Sequence, residues 1–193
     1  ESPNYAARLQ VVNDIEDDAI ALLDHARKVD QAKFLLMLMP LCESWRVRNM
    51  LPLVLQWAPQ AIDVAQALQD VGSELWFRAN LTRSLARGGC PAEGERQSRL
   101  LVDLFDKVDD PVLTAHAVTA RARALRAAGE AGAALGLLRK SLDRVESNPE
   151  RPGFWTLYVA MLELCEHPFG IPDDLSALRI RFAGSFFWLE LLS

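Results

Sequence analysis

Residues 111–149 read PVLTAHAVTARARALRAAGEAGAALGLLRKSLDRVESNP, and this regular stretch decides the fold class. Asp110 and Pro111 mark a helix start, because an aspartate side chain caps free backbone N–H groups and proline needs no N–H in the first turn. Gly129 marks the end of that helix. Small and apolar residues recur every three or four positions on both sides of this glycine: Val118, Ala122, Leu125, Ala134, Leu135, Leu138 and Leu142. The stretch therefore predicts two amphipathic helices joined by a short turn.

A second helix pair is predicted immediately upstream, from Ser73 to Val108. Ser73 is the expected N-cap of a helix that ends at Gly88 and Gly89, and Pro91 opens the partner helix. Both pairs have the same layout of helix, glycine-containing turn and helix. Their period lies in the range of helical-repeat units, roughly 34 to 47 residues.

Helical periodicity continues through the first 72 residues, with less regular punctuation. Asn13, followed by Glu16, is the predicted N-cap of the first helix, and a second helix is expected after Asp30. About nine or ten helices are then predicted for the whole chain.

Three prolines are expected to divide this N-terminal region. Pro40 should kink or shorten the second helix, and Pro52 should interrupt a third helix over residues 47–57. Pro59 is the expected start of a fourth helix, which Gly72 should end.

Composition and charge narrow the classes of protein. Of the 193 residues, 50% are hydrophobic and 24% are charged, as in globular proteins that need no disulfide or metal to fold. A formal net charge of −5 argues against direct binding to nucleic acid. The longest apolar run, Phe34 to Cys42, has nine residues, whereas a membrane span needs about 20. We therefore expect neither nucleic-acid binding nor a membrane segment.

Residues that carry chemistry are sparse. Cys42, Cys90 and Cys165 are far apart, which favours a reducing, cytoplasmic compartment over a disulfide framework. Metal-binding spacings, glycine-rich phosphate loops and nucleophile motifs do not occur in the sequence. The sequence predicts no catalytic residues, no metal site and no cofactor. An enzyme is the weaker alternative, with a hydrolase drawing on scattered carboxylates such as Asp63 and Glu74, together with Asp103.

Residues 111–149 resemble a tetratricopeptide (TPR) repeat, through small and apolar residues at the family's spacings: Val118, Ala122, Leu125, Gly129, Ala134 and Leu138. Arg121 departs from the family pattern, where an apolar residue is usual, and Ser141 replaces the usual alanine. The preceding pair matches more loosely, through Leu81, Leu85 and Gly89. A generic α-solenoid remains the alternative.

The resemblance implies an all-α fold of stacked antiparallel helix pairs, a TPR-like α-solenoid, as a single domain over residues 1–193. Residues 1–72 are then divergent helix pairs, residues 73–149 are TPR-like pairs, and residues 150–193 form a terminal helix followed by a cap or hairpin.

The run LRIRFAGSFFWLELL at residues 178–192 departs from helical spacing, since apolar and basic residues alternate at its start. It is similar to the opening β-hairpin of the winged-helix domain in bacterial activators that carry helical repeats. The favoured alternative is a final amphipathic helix that packs Phe186, Phe187, Leu189 and Leu191 as a cap.

The resemblance also implies that the first helix of each pair lines a concave surface that binds a partner. It places His116, Thr119, Arg123 and Arg126 of one pair, and Trp76 and Arg83 of the preceding pair, toward this groove. Arginine suits bidentate recognition of carboxylates. Residues 1–30 carry seven acidic and three basic groups, whereas the middle of the chain is basic. This asymmetry suits an acidic peptide in the groove or contact between neighbouring copies. The alternative is that the arginines form solvated pairs on helix faces, such as Arg139 with Asp143.

The sequence therefore predicts a noncatalytic, cytoplasmic interaction module that binds a peptide or a partner protein. The alternative is the sensor or regulatory segment of a larger bacterial transcription regulator. It rests on the repeats, on residues 178–192 and on a first residue, Glu1, that is not methionine.

Overall fold

A computed structural model describes residues 18–105 and 107–143, together with residues 157 and 160, and all regular secondary structure in these residues is helical. Seven helices run through the two long stretches. They are α1 (residues 18–29), α2 (Gln31–Val47), α3 (Leu51–Ala67), α4 (Val71–Arg87), α5 (Pro91–Phe105), α6 (Pro111–Ala127) and α7 (Ala131–Asp143). None of these helices is both long enough and apolar enough to cross a membrane.

The helices from α2 onward keep a constant register. They begin at residues 31, 51, 71, 91, 111 and 131, so a helix starts every 20 residues and a helix pair occupies 40. The predicted period of 34 to 47 residues contains this value. Residues 40 apart consequently occupy equivalent positions in successive pairs, from α2–α3 to α4–α5 and α6–α7.

An aspartate begins each even-numbered helix (α2, α4 and α6). Asp30 accepts a hydrogen bond from the backbone N–H of Lys33 at 3.0 Å, and Asp70 accepts one from Ser73, also at 3.0 Å. Asp110 accepts from two backbone N–H groups, at 2.9 and 3.0 Å. The predicted cap at Ser73 is therefore wrong, because Asp70 takes that role. The Ser73 hydroxyl instead donates to the Asp70 carboxylate, at 2.6 Å.

Four of the turns between helices share one geometry. Asn49, Gln69, Gly89 and Gly129 all have positive φ angles, of 58°, 57°, 80° and 87°. In each turn, the N–H of the next residue bonds the carbonyl five residues earlier, as in Met50 to Trp45 at 2.8 Å. This left-handed cap satisfies the last carbonyls of the helix. The turns predicted at Gly89 and Gly129 are confirmed.

The predicted proline breaks are wrong, because α3 runs without interruption from Leu51 to Ala67. Pro52 lies in its first turn, where no N–H is needed, and Pro59 lies inside it. Pro40 does not shorten α2, which continues to Val47, and the kink expected at Pro40 stays a prediction. Gly72 does not end a helix, since it is the second residue of α4.

Both interior prolines lie on the solvent side of their helices. Pro40 and Pro59 are exposed, and so are Leu36 and Leu55, whose carbonyls lose their partner four residues later. Water can reach carbonyls on an exposed face, which lowers the cost of the missing hydrogen bonds.

The even-numbered helices lie side by side. From α2 to α7, each helix contacts the next in sequence, and α2 also contacts α4, as α4 contacts α6. The odd-numbered helices α3, α5 and α7 do not contact one another. The even-numbered helices therefore form a continuous layer, and each odd-numbered helix packs against its neighbours in that layer.

One large apolar cluster fills the N-terminal half of the described chain. Phe34, Trp45 and Trp57 are at most 2% exposed, and Leu23 and Ala26 of α1 join them. A second cluster lies between α4, α5 and α6, around Leu75, Leu101, Ala117 and Ala120. Burial follows the 40-residue register: Leu35, Leu75 and Ala115 are all buried, as are Trp45, Leu85 and Leu125.

Several predictions fall outside the described residues. These are the helix start at Asn13 and Glu16, the terminal helix of residues 150–193, and the hairpin or cap at residues 178–192. They stay predictions.

Candidate partner-binding groove

The predicted binding residues fall at equivalent positions of the 40-residue unit. Arg83 of α4 corresponds to Arg123 of α6, and Trp76 corresponds to His116. Arg126 corresponds to Arg46 of α2, which the sequence analysis did not select. Because α2, α4 and α6 lie side by side, equivalent residues occupy neighbouring places along the layer.

An open groove of about 560 Å³ lies across these three helices, and we call it the arginine groove. It is lined by five arginines and two alanines: Arg46, Arg83, Ala86, Arg87, Arg123, Arg126 and Ala127. Three predicted residues, Arg83, Arg123 and Arg126, are thus brought together. The other two arginines, Arg46 and Arg87, were not predicted. The 40-residue register could have found Arg46, and the spacing of one helical turn from Arg83 could have found Arg87.

All five arginines lie in the C-terminal halves of their helices. The carbonyl end of a helix carries partial negative charge and stabilises nearby cations. The helices therefore favour positive side chains at this end of the layer.

At the α2 edge of the groove, Arg46 is held by a carboxylate. Its Nε donates to Glu43 Oε2 at 2.9 Å, and its Nη2 donates to Glu43 Oε1. This hydrogen bonding lowers the pKa of Glu43, although partial burial opposes the shift, and the charges of Arg46 and Arg83 lower the pKa further. Glu43 is consequently an ionised carboxylate at neutral pH. It occupies the position equivalent to Arg83 and Arg123.

Arg83 forms the buried part of the groove, with only 7% of its surface exposed. Its Nη2 donates to the backbone carbonyl of His116 at 2.9 Å, which joins α4 to α6. Burying a guanidinium group is unfavourable unless hydrogen bonds and nearby anions compensate. The His116 carbonyl and the Glu43 carboxylate provide such compensation.

His116 is half-buried beside these charges. Burial lowers its pKa to about 4, and the positive charge of Arg83 contributes more to this shift than those of Arg46 and Arg123, while Glu43 opposes it. The imidazole is therefore neutral at pH 7 and adds no charge to the groove.

The other two predicted residues, like His116, are not among the residues that line the groove. Thr119 is 2% exposed, and its hydroxyl has no hydrogen-bond partner among the described residues. Trp76 is half-buried and packs edge-on against Phe77, with ring centroids 4.9 Å apart. It precedes Arg83 by about two helical turns, roughly 10 Å along the axis.

The described residues contain no group of three or more histidine, cysteine, aspartate or glutamate side chains that could hold a metal ion. Asp63, Glu74 and Asp103 lie on three different helices, α3, α4 and α5. Glu74 accepts hydrogen bonds from Arg78 at 2.8 Å and from Gln66 at 2.7 Å.

Lowering the pH from 7 to 5 is expected to reduce the free energy of unfolding by about 1 kcal/mol through His116. At pH 5 an unfolded imidazole, with a pKa near 6.5, is protonated, whereas folded His116, with a pKa of about 4, is not. Protonation therefore favours the unfolded state as the pH falls from 6.5 toward 4. Urea unfolding of the native chain and of His116→Gln at both pH values measures the difference.

His116→Gln should lose about 1 kcal/mol of the native pH dependence. Equal pH dependence in the native chain and in His116→Gln would contradict the lowered pKa.

Comparisons of the chain with protein-family models, with curated proteins and with solved structures each found no match. The helical layer and the arginine groove are therefore the features from which a function is inferred.

Proposed function

We propose that this protein is a noncatalytic interaction module that binds an acidic peptide segment of a partner protein in the arginine groove. One observation supports the proposal above all: three neighbouring helices contribute five arginines to one groove. Guanidinium groups form paired hydrogen bonds with carboxylates, so such a groove suits aspartate and glutamate side chains.

The helix packing supports a repeat architecture for this module. Each even-numbered helix contacts its own partner helix and its even-numbered neighbours, while the odd-numbered helices do not contact one another. A stack of helix pairs whose first helices line a common binding surface has this contact pattern. We therefore propose a TPR-like α-solenoid with a 40-residue unit in place of the 34-residue unit of the TPR family.

The charge distribution supports an acidic partner. The chain carries a net charge of −5, so the groove is a local positive region on an acidic protein. Such a region attracts acidic segments, while the surrounding negative charge repels duplex nucleic acid.

Replacing Arg123 and Arg126 together by glutamine is expected to weaken binding of a deca-glutamate peptide about 30-fold, since each exposed charged contact contributes about 1 kcal/mol. Fluorescence anisotropy with a labelled peptide at 50 mM salt measures the dissociation constants.

The matched control is Arg96→Gln with Arg99→Gln, which removes the same charge from the exposed face of α5. Its effect should stay below about threefold, as expected for long-range electrostatics alone. Equal weakening by the two double variants, or no binding by the native chain, would overturn the proposal. Sedimentation of the native chain tests the other predicted occupant, a second copy.

The alternative role, as a regulatory segment of a bacterial transcription regulator, rests in part on residues 178–192. They lie outside the described residues, so this role stays a prediction.

A further inference from the structure

We infer that the arginine groove selects acidic segments by the spacing of their carboxylates. The preferred segment is an extended chain with two carboxylates three residues apart, one over α4 and one over α6, and with a non-acidic residue over α2. This inference rests on the proposed function and deepens it by specifying the partner's sequence pattern.

The positive charge of the groove is concentrated on two of its three helices. α4 contributes Arg83 and Arg87, and α6 contributes Arg123 and Arg126. Arg87 is exposed, and Arg123 and Arg126 are partly exposed. α2 contributes only Arg46, and the negative charge of Glu43, which accepts a hydrogen bond from Arg46 Nε, offsets its positive charge. Carboxylates of a partner are therefore favoured over α4 and α6.

The spacing of the helices sets the spacing of the carboxylates. Packed helices have axes about 8–10 Å apart, and α4 and α6 contact each other in the layer. A polyproline II chain rises about 3.1 Å per residue with three residues per turn, so side chains three residues apart point the same way about 9 Å apart. In a β-strand, same-face side chains are about 7 or 13 Å apart, which fits less well.

The same geometry favours separated carboxylates over a single phosphate. Phosphate groups are held well by the backbone N–H groups at helix N-termini. The groove instead lies at the C-terminal halves of its helices, and its exposed arginines are divided between two helices.

Glu43 limits the binding of acidic residues on the α2 side of the groove. It takes the place that Arg83 and Arg123 occupy in the following pairs, and its carboxylate is part of the bonded pair with Arg46. A third carboxylate over α2 would meet a like charge and find the guanidinium group already engaged.

The test of spacing uses three peptides of identical composition, each with two glutamates among six prolines. In PPEPPEPP the glutamates are three residues apart, in PPPEEPPP they are adjacent, and in EPPPPPPE they are seven apart. Titration of the full native chain with labelled peptides is expected to give about tenfold tighter binding of PPEPPEPP than of the other two.

The outcomes separate this inference from the proposed function. Equal binding of the three peptides, with binding of deca-glutamate intact, overturns the spacing and leaves the interaction module standing. No binding of any peptide, deca-glutamate included, overturns both. Tighter binding of a peptide with one central phosphoserine than of PPEPPEPP overturns the choice of carboxylates.

The role of Glu43 is tested with the variant Glu43→Gln and with a peptide that carries a third glutamate. The native chain is expected to bind PPEPPEPPEPP no more than twofold tighter than PPEPPEPP. Glu43→Gln should bind the three-acid peptide about tenfold tighter than the native chain does, because Arg46 is released and the like charge is removed. Unchanged binding of the three-acid peptide by Glu43→Gln overturns the role of Glu43.

Glu93→Gln is the matched control, since Glu93 forms the same two-bond pair with Arg96, three residues later on α5. This variant removes the same charge outside the groove, so it should not bind the three-acid peptide tenfold tighter than the native chain does. An equal gain in Glu93→Gln assigns the effect to net charge and overturns the inference for α2. Binding of PPEPPEPP by each variant confirms that it is folded.

Discussion

Replacement of Trp45 by alanine is expected to lower the free energy of unfolding by about 4 kcal/mol, because removing a large buried aromatic side chain costs both its transfer energy and a cavity. Trp45 is 0% exposed and belongs to the main apolar cluster, with Phe34 and Trp57. It also immediately precedes Arg46, so its packing fixes the segment that bears the α2 edge of the groove. Urea unfolding followed by circular dichroism measures the change.

Leu36→Ala on the same helix is the control, because Leu36 is 70% exposed and its loss should change stability by less than about 0.5 kcal/mol. Hydrogen exchange adds a second readout. α2 contacts α3 and α4, whereas α7 contacts only α6 among the helices from α2 onward. Trp45→Ala should therefore increase exchange in α2 and α3 more than in α7. Uniform exchange along the chain would contradict this packing order.

The helix pairs were predictable wherever the sequence carries explicit signals. Asp110 with Pro111, and Pro91, start helices as expected, and the glycines at 89 and 129 supply positive φ at no steric cost. The equivalent turns at Asn49 and Gln69 carry no glycine, so pattern reasoning did not find them. Left-handed backbone is tolerated by asparagine and costs glutamine about 1–2 kcal/mol, which the capping hydrogen bonds offset.

Missing those two turns explains the misplaced proline breaks. Once a turn is not recognised at Asn49, Pro52 is mistaken for an interruption instead of a first-turn residue. Once the turn at Gln69 is missed, the next strong signal is Gly72, which lies inside α4. Proline inside a helix is an ambiguous signal, because its cost depends on whether water reaches the carbonyl four residues earlier.

Only some of the residues that line the groove were predictable from the sequence. The TPR resemblance led to Arg83, Arg123 and Arg126, which line the groove, but it did not extend to α2, where Arg46 lies. It also placed Thr119 toward the groove, whereas Thr119 is buried. α6 contacts α4, α5 and α7, so little of its circumference stays open, and a residue near the edge of the open face becomes part of the packing.

Replacement of Gly94 by valine is expected to lower the free energy of unfolding by about 3 kcal/mol, through overpacking between α4 and α5. A β-carbon at this position would lie 3.2 Å from the backbone nitrogen of Ala86 and 3.4 Å from the β-carbon of Leu85, and these atoms cannot move independently of α4. The equivalent residue of the preceding pair is Val54, so the register alone would suggest that valine is tolerated. Thermal and urea unfolding measure the loss.

Gly136→Ala provides the matched control, because Gly136 is also a helical glycine and a β-carbon there meets nothing within 4 Å. Alanine stabilises an open helical site by up to about 1 kcal/mol over glycine, so this variant should be more stable than the native chain.

Since Ala86 of α4 lines the groove, Gly94→Val should also displace α4 and weaken binding of PPEPPEPP, while Gly136→Ala should not. A stable Gly94→Val protein with native peptide affinity would show that α4 and α5 are not held at this close approach.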